Sequence, residues 1–114
     1  MSEKNIMRRI MLALGGLPQV RLFRNNIGVA KHDDGSRTEY GLCVGSSDLI
    51  GWKSIEVTPE MVGKRIAVFT AIEVKSPTNN RLSPAQLNFL KVVQDHGGIA
   101  GVAKSDEEAL NLIK

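Results

Sequence analysis

The chain has 114 residues, of which 42% are hydrophobic and 24% charged, so it is long enough for one globular domain and excludes a disordered protein. It has no apolar run that could cross a bilayer and no cleavable signal pattern, which predicts a cytoplasmic protein with no membrane partner. The single cysteine, Cys43, excludes an internal disulfide and a zinc cage. A net charge of +3, spread along the chain, is compatible with a polyanionic partner without establishing one.

The first half of the chain predicts one helix and several short strands. Ser2 is a suitable N-cap for a helix over 3–14, which Gly15 and Gly16 end. Polar, turn-rich residues over 31–38 predict a loop or a hairpin tip. Short β-prone segments predict strands over 20–24, 39–44 and 48–53.

The second half opens on the apolar run 66–75, which predicts a central strand buried on both faces. Ser83, Pro84 and Gln86 predict a helix that starts with a capping box. A strand over 99–103 and a last helix follow. The order α-β-β-β-β-α-β-α predicts a single α/β (α+β) domain over 1–114, with a central mixed β-sheet flanked by helices.

Two opposite charges stand at the end of the predicted central strand. Glu73 and Lys75 are two residues apart, so their side chains point to one face of the sheet while Val74 points to the other. Charges in this position cost desolvation, so they either neutralise each other or hold a ligand. The residues alone leave a salt bridge at the sheet rim and a ligand site equally open.

A second carboxylate is available from Asp48, which begins a neighbouring predicted strand. Asp48, Glu73 and the backbone carbonyl of Val74 would supply the hard oxygen ligands that Mg²⁺ or Mn²⁺ prefers. Lys75 would then orient the attacking water or pair with a phosphate oxygen. The alternative for Asp48 is a simple turn residue after Gly45, Ser46 and Ser47. His32, Asp33 and Asp34 could form a second metal cluster, but a solvated loop is the favoured interpretation.

Five segments in order resemble the VRR-NUC (virus-type replication-repair nuclease) domain of the PD-(D/E)XK nuclease superfamily, which has a restriction-endonuclease-like αβββαβ core. They are Arg24-Asn25-Asn26-x-Gly28, Gly45-Ser46-Ser47-Asp48-Leu49-Ile50-Gly51, Ile72-Glu73-Val74-Lys75, Arg81-Leu82-Ser83-x-x-Gln86 and residues 98–105. Ser47 stands where the superfamily name places a proline, which is not a ligand. The predicted order has one strand more than this core.

The resemblance implies a set of site residues. Asp48 and Glu73 would bind the metal, Lys75 would be catalytic, and Gln86 would reach the site from its helix. Glu3 is the only acidic residue available for the glutamate of the family's first helix. Two of these residues have a plainer alternative. Glu3 could be a first-turn acid favoured by the helix dipole. Gln86 could be a capping residue, whose side chain would have to choose between the cap and the site.

The resemblance also implies DNA as the partner. Arg24, Asn25 and Asn26 would contact phosphate or brace the site, or would merely end a strand in a turn at which Gly28 supplies a positive φ. Arg81 is a further candidate for a DNA contact. The implied function is a Mg²⁺- or Mn²⁺-dependent DNA endonuclease of phage or bacterial type, acting on branched DNA as a homodimer, as Holliday-junction resolvases do. The alternatives are a non-catalytic DNA-binding module and a sequence-specific restriction-type nuclease, which the short chain disfavours.

Overall fold

The computed structural model describes residues 2–114, which form two compact units, an N-terminal unit up to Lys53 and a C-terminal unit over Ser54–Lys114. No helix in this described part is long and apolar enough to span a membrane. In chain order the elements are α1 (Glu3–Gly15), β1 (Val20–Arg24), β2 (Gly28–Lys31), β3 (Arg37–Tyr40), β4 (Leu49–Lys53), a 3-10 turn (Pro59–Met61), β5 (Thr70–Val74), α2 (Pro84–Asp95), β6 (Ile99–Ala103) and α3 (Asp106–Ile113).

The predicted α/β class is confirmed, with strand pairs of both directions. β1 pairs with β4 and β2 with β3 in antiparallel fashion, whereas β5 and β6 are parallel. The hydrogen-bonded ladders are three two-stranded sheets. Among the described strands, β2 and β3 pair only with each other. This hairpin is therefore an insertion into the αβββαβ core, between β1 and β4. Without the hairpin, the order from α1 to β6 is αβββαβ, which accounts for the extra strand in the predicted order.

The N-terminal unit is built from α1, the β1–β4 pair and the β2–β3 hairpin. As predicted, the side chain of Ser2 caps α1 by accepting from the Asn5 N–H; the helix ends at Gly15, one residue beyond the predicted 14, with Gly16 as its C-cap. In the β1–β4 pair, Gly51 stands opposite Leu22. A Cβ at Gly51 would collide with the backbone of Arg21, so glycine permits the close approach of these two strands.

The hairpin corrects two predictions. Gly28 does not have a positive φ; it lies in β2 opposite Tyr40, and a Cβ there would collide with the tyrosine ring. The strand predicted over 39–44 ends at Tyr40 because Gly41 turns the chain with a φ of 92°. At the tip, the hydroxyl and backbone N–H of Ser36 donate to Asp34 and hold the pKa of its carboxyl below the usual value.

The C-terminal unit contains the parallel pair β5 and β6, with α2 as the crossover between them. The register runs from Thr70 opposite Ile99 to Val74 opposite Ala103, so the five residues of β6 limit β5 to five residues. β5 is therefore shorter than the predicted 66–75. Its alternate residues are exposed, so the prediction of burial on both faces is wrong. Within this unit, β5 has a strand partner on one edge alone.

The two helices of this unit cover opposite faces of the β5–β6 pair. Gln86 of α2 contacts Glu73 on one face. On the other face, a Cβ at Gly101 would collide with Leu112 of α3. The hydrophobic core of the described chain is Leu90, Val93, Ala100 and Ala103. Burial of Val93, which is 1% exposed, fixes the position of α2 against β6, and with it the start of α2 near the end of β5.

Candidate active site

The predicted charge pair forms at the end of β5. The Lys75 Nζ lies 3.6 Å from the Glu73 Oε1, and the side chains are 16% and 30% exposed, respectively. Both belong to the face of β5 that α2 covers, whereas the side chain of Val74 is 76% exposed on the other. At about 4 Å a charge pair near a protein surface attracts with roughly 4 kcal/mol before desolvation is counted. The pair therefore holds Lys75 next to the carboxylate, whichever role the two residues have.

Gln86 joins the same carboxylate from the first turn of α2. Its Nε2 donates to the Glu73 Oε1 at 2.8 Å. Its Oε1 accepts from the Ser83 backbone N–H at 2.9 Å, and the Ser83 hydroxyl accepts from the Gln86 N–H at 3.1 Å. The capping box is thus complete while the side chain also reaches Glu73. The expectation that Gln86 must choose between the cap and the site is wrong, because the two ends of its amide serve one role each.

This arrangement fixes the direction of the amide. The N-cap N–H can bond only to the oxygen end of Gln86, so the NH₂ end is left to face the carboxylate. Gln86 is the third residue of α2, and the backbone of the N-cap, Ser83, is extended, with a φ of −71° and a ψ of 157°. The start of α2 is therefore tied directly to the orientation of Glu73.

The backbone carbonyl of Val74 lies on the open edge of β5. Ladder bonds join Phe69 O to Ile99 N at 2.9 Å and Lys75 N to Ala103 O at 3.0 Å. Alternate residues of a parallel strand bond to the same neighbour, so the odd-numbered residues of β5 face β6. The carbonyl of Val74 points to the opposite edge, where no strand of this unit pairs with it.

These groups fit a hard divalent cation. The Glu73 Oε1 is used by Gln86 and Lys75, and no residue of the described chain hydrogen bonds to the second oxygen, Oε2. That oxygen and the carbonyl of Val74 are the ligand types that Mg²⁺ and Mn²⁺ take, whereas Zn²⁺ favours nitrogen and sulfur. The alternative cluster at the hairpin tip does not form, since no three His, Cys, Asp or Glu side chains within residues 2–114 gather as a metal site.

Asp48 lies in the N-terminal unit, in the loop that leads into β4, and its side chain is exposed. Asn25 organises this loop. Its Nδ2 donates to the Ser46 hydroxyl at 2.7 Å and to the Ser47 carbonyl at 2.9 Å. Its Oδ1 accepts from the Leu42 N–H at 2.9 Å. Its backbone N–H donates to the Asp48 carbonyl at 2.8 Å, so one residue holds both ends of the loop.

These hydrogen bonds engage both ends of the Asn25 amide in bracing the Asp48 loop, and a role of Asn25 at the site stays a prediction. Ser46 was not singled out from the sequence, although its hydroxyl also donates to the Cys43 carbonyl at 2.6 Å and tightens the same turn. The sequence did contain a signal for this bond. Ser46 follows Gly45, whose φ is 85°, and serine hydroxyls at turns favour such local bonds to the backbone.

Asn25→Ala is expected to lower the free energy of unfolding by about 1–2 kcal/mol, because three side-chain hydrogen bonds are lost and water can bond to only some of the groups left without a partner. Asn26→Ala is the matched control, since Asn26 is the next residue in the chain and its side chain is exposed. Its loss is expected to lower the free energy of unfolding by no more than about 0.5 kcal/mol. Urea unfolding of both variants measures the difference. Equal values for the two would contradict the bracing role.

The remaining predicted site residues contribute no side-chain hydrogen bond to these two networks within the described part of the chain. Glu3 is an exposed residue in the first turn of α1, the position that its plainer alternative describes. Arg24 ends β1 and Arg81 lies in the exposed segment before α2. The structure therefore joins Glu73, Lys75 and Gln86 in one cluster and organises Asp48 in a separate loop network of the other unit.

The model of one protein family matches this chain. It describes the VRR-NUC domain, and it covers residues 29–107 of the 114. The matched range contains Asp48, Glu73, Lys75 and Gln86, and it extends over parts of both compact units. No curated protein and no solved structure matches the chain.

Proposed function

Since the chain belongs to the VRR-NUC family, a nuclease family whose substrate is DNA, we propose that it is a divalent-metal-dependent DNA endonuclease with one active site built around Glu73. The observation that carries the proposal is the half-buried carboxylate of Glu73, held by Gln86 and Lys75 with its second oxygen left for a ligand. The proposal treats 1–114 as a single nuclease domain.

The metal ligands of this proposal are Asp48 and Glu73, which the family resemblance implies, and the Val74 carbonyl, and Mg²⁺ or Mn²⁺ is the ion that these oxygens suit. When bound, such an ion lowers the pKa of a coordinated water and offsets charge on the phosphate. Gln86 keeps the carboxylate of Glu73 in one orientation. Lys75 places an ammonium group beside the same carboxylate, where it can donate to a phosphate oxygen or to the attacking water.

Asp48→Ala distinguishes a nuclease from a DNA-binding module on the same fold. A nuclease loses cleavage of labelled DNA in Mg²⁺ or Mn²⁺ while it keeps binding the same DNA in EDTA. The matched control is Asp33→Ala, which removes an exposed carboxylate from the hairpin tip. Cleavage by Asp48→Ala at the rate of the control would remove Asp48 from the proposed site.

A binding module would show no cleavage by the unaltered protein either. The charge pair at Glu73 and Lys75 argues against that function, because a protein that only binds DNA gains nothing from a half-buried carboxylate next to the lysine.

We further propose that the enzyme is a homodimer that prefers branched DNA. The support is the resemblance to junction-resolving nucleases, together with an exposed apolar row on α1. Ile6, Ile10 and Leu14 recur every four residues and are 43%, 39% and 40% exposed. A two-fold dimer would present two sites to a two-fold junction. Sedimentation equilibrium tests the dimer, and Ile10→Glu is expected to yield the monomer; a monomeric unaltered protein would refute it.

A further inference from the structure

Three cations converge on one pocket of the N-terminal unit, between α1 and the end of β1. The pocket has a volume of about 400 Å³. Lys4 and Arg8 come from α1 and Arg24 from β1. The lining residues are Lys4, Met7, Arg8, Met11, Leu12 and Arg24, none of which is acidic. Three of the fifteen basic residues of the sequence therefore share one pocket, although Arg24 is distant from Lys4 and Arg8 in the chain.

The positions of these cations are unfavourable for α1 itself. Lys4 and Arg8 are four residues apart on the helix, and like charges at that spacing destabilise a helix by a few tenths of a kcal/mol. They also lie in its first two turns, where the helix dipole disfavours positive charge, while its last turn carries no basic residue. Within residues 2–114, none of the three forms a salt bridge.

The positive charges of Lys4, Arg8 and Arg24 are thus not paired with a carboxylate inside the described chain. An anion bound in the pocket would offset the repulsion between these three side chains. Arginine suits a phosphate because its planar guanidinium can donate two parallel hydrogen bonds. The rest of the lining is apolar: Met7 and Met11 are half-buried, and Leu12 is 80% exposed. Such a surface can contact a sugar ring beside the phosphate, which a site for a free inorganic anion does not require.

We propose that Lys4, Arg8 and Arg24 form a DNA-backbone site, in which the phosphates of the substrate strand lie against the cations and its sugars against Met7, Met11 and Leu12. This inference rests on the proposed function for its choice of polyanion. It adds Lys4 and Arg8, which carry no motif, to the DNA-contacting residues. It also gives α1 a role in substrate binding that is independent of Glu3.

The test uses binding rather than cleavage, in the Glu73→Gln background and in EDTA. Lys4→Gln/Arg8→Gln is compared with Lys64→Gln/Lys104→Gln, which removes the same charge from exposed positions of the C-terminal unit. Fluorescence anisotropy with a labelled duplex measures Kd between 50 and 200 mM salt, where the slope of log K against log salt counts neutralised phosphates at about 0.9 each. Circular dichroism checks that α1 is retained in both variants.

Lys4→Gln/Arg8→Gln is expected to weaken binding about tenfold or more and to reduce the slope by roughly 2, and Arg24→Gln by roughly 1. The control pair is expected to change the slope by less than half as much. If DNA binds and the two double variants have the same slope, the pocket is not a DNA site while the nuclease proposal stands. If the Glu73→Gln protein binds no DNA at any salt concentration and the unaltered protein does not cleave, both proposals fail.

Discussion

Glu73→Gln is expected to reduce metal-dependent DNA cleavage by on the order of 10³-fold or more, the scale of losing an interaction made mainly in the transition state. The substitution keeps the shape of the side chain and an oxygen for Gln86, but it removes the negative charge that a divalent ion and Lys75 require. Initial rates on a labelled duplex at saturating Mg²⁺ or Mn²⁺ measure the effect.

The matched control for this substitution is Glu56→Gln, which changes an exposed carboxylate of the same unit. The free energy of unfolding of Glu73→Gln is expected to change by no more than about 1 kcal/mol, because the charge pair is partly exposed. A folded Glu73→Gln protein that cleaves at the rate of the control would contradict the assignment of Glu73.

Gln86→Ala is expected to reduce cleavage by roughly 10–100-fold, the usual cost of losing a residue that orients a metal ligand. It should also lower the free energy of unfolding by about 1 kcal/mol, because it removes half of the capping box. Ser83→Ala separates these two effects. It removes the hydroxyl cap and costs similar stability, but it leaves the backbone N–H that holds the Gln86 amide.

Cleavage by Ser83→Ala should therefore stay within a few-fold of the unaltered protein at a temperature where both are folded. If Ser83→Ala and Gln86→Ala lose cleavage equally, Gln86 acts only by stabilising the start of α2, and its bond to Glu73 has no role in the reaction.

Gln86→Glu gives an independent check, because glutamate also completes a capping box while it places a second carboxylate next to Glu73. The two carboxylates then repel each other at the place where the Gln86 amide donates a hydrogen bond. Cleavage by Gln86→Glu should accordingly fall at least as far as cleavage by Gln86→Ala, although the capping box is kept. Cleavage by Gln86→Glu at the rate of the unaltered protein would contradict the contact.

Local signals were sufficient where a few neighbouring residues determine the structure. The N-cap serines of α1 and α2 and the capping box at Ser83 could be predicted because a hydroxyl or amide and its backbone partners are at most four residues apart. The common face of Glu73 and Lys75 followed from the two-residue period of a strand.

The failures concern contacts between segments that are distant in sequence. The length of β5 depends on β6, and Gly28 is required by the ring of Tyr40 across the hairpin. β2 was not predicted, although Asp34, Gly35 and Ser36 are typical turn residues between two paired strands. That Gln86 bonds to the cap and to Glu73 at the same time was also not predicted, since it depends on how α2 packs against β5.

The candidate site shows the same difference between local sequence signals and contacts between distant segments. A family pattern located Asp48, Glu73, Lys75 and Gln86 in the sequence, and the structure supplies the hydrogen bonds of Glu73 and Gln86 that give the carboxylate one orientation. The cationic pocket had no sequence pattern, because Arg24 comes from another element than Lys4 and Arg8.

The most direct test of the nuclease activity is cleavage of labelled linear duplex, flap and four-way-junction DNA by the unaltered protein, with Mg²⁺, Mn²⁺ or EDTA. We expect cleavage with either ion and none in EDTA, with the junction or flap cut faster than the duplex. DNA binding without cleavage of any substrate under every metal condition would contradict the nuclease and leave a DNA-binding module on this fold.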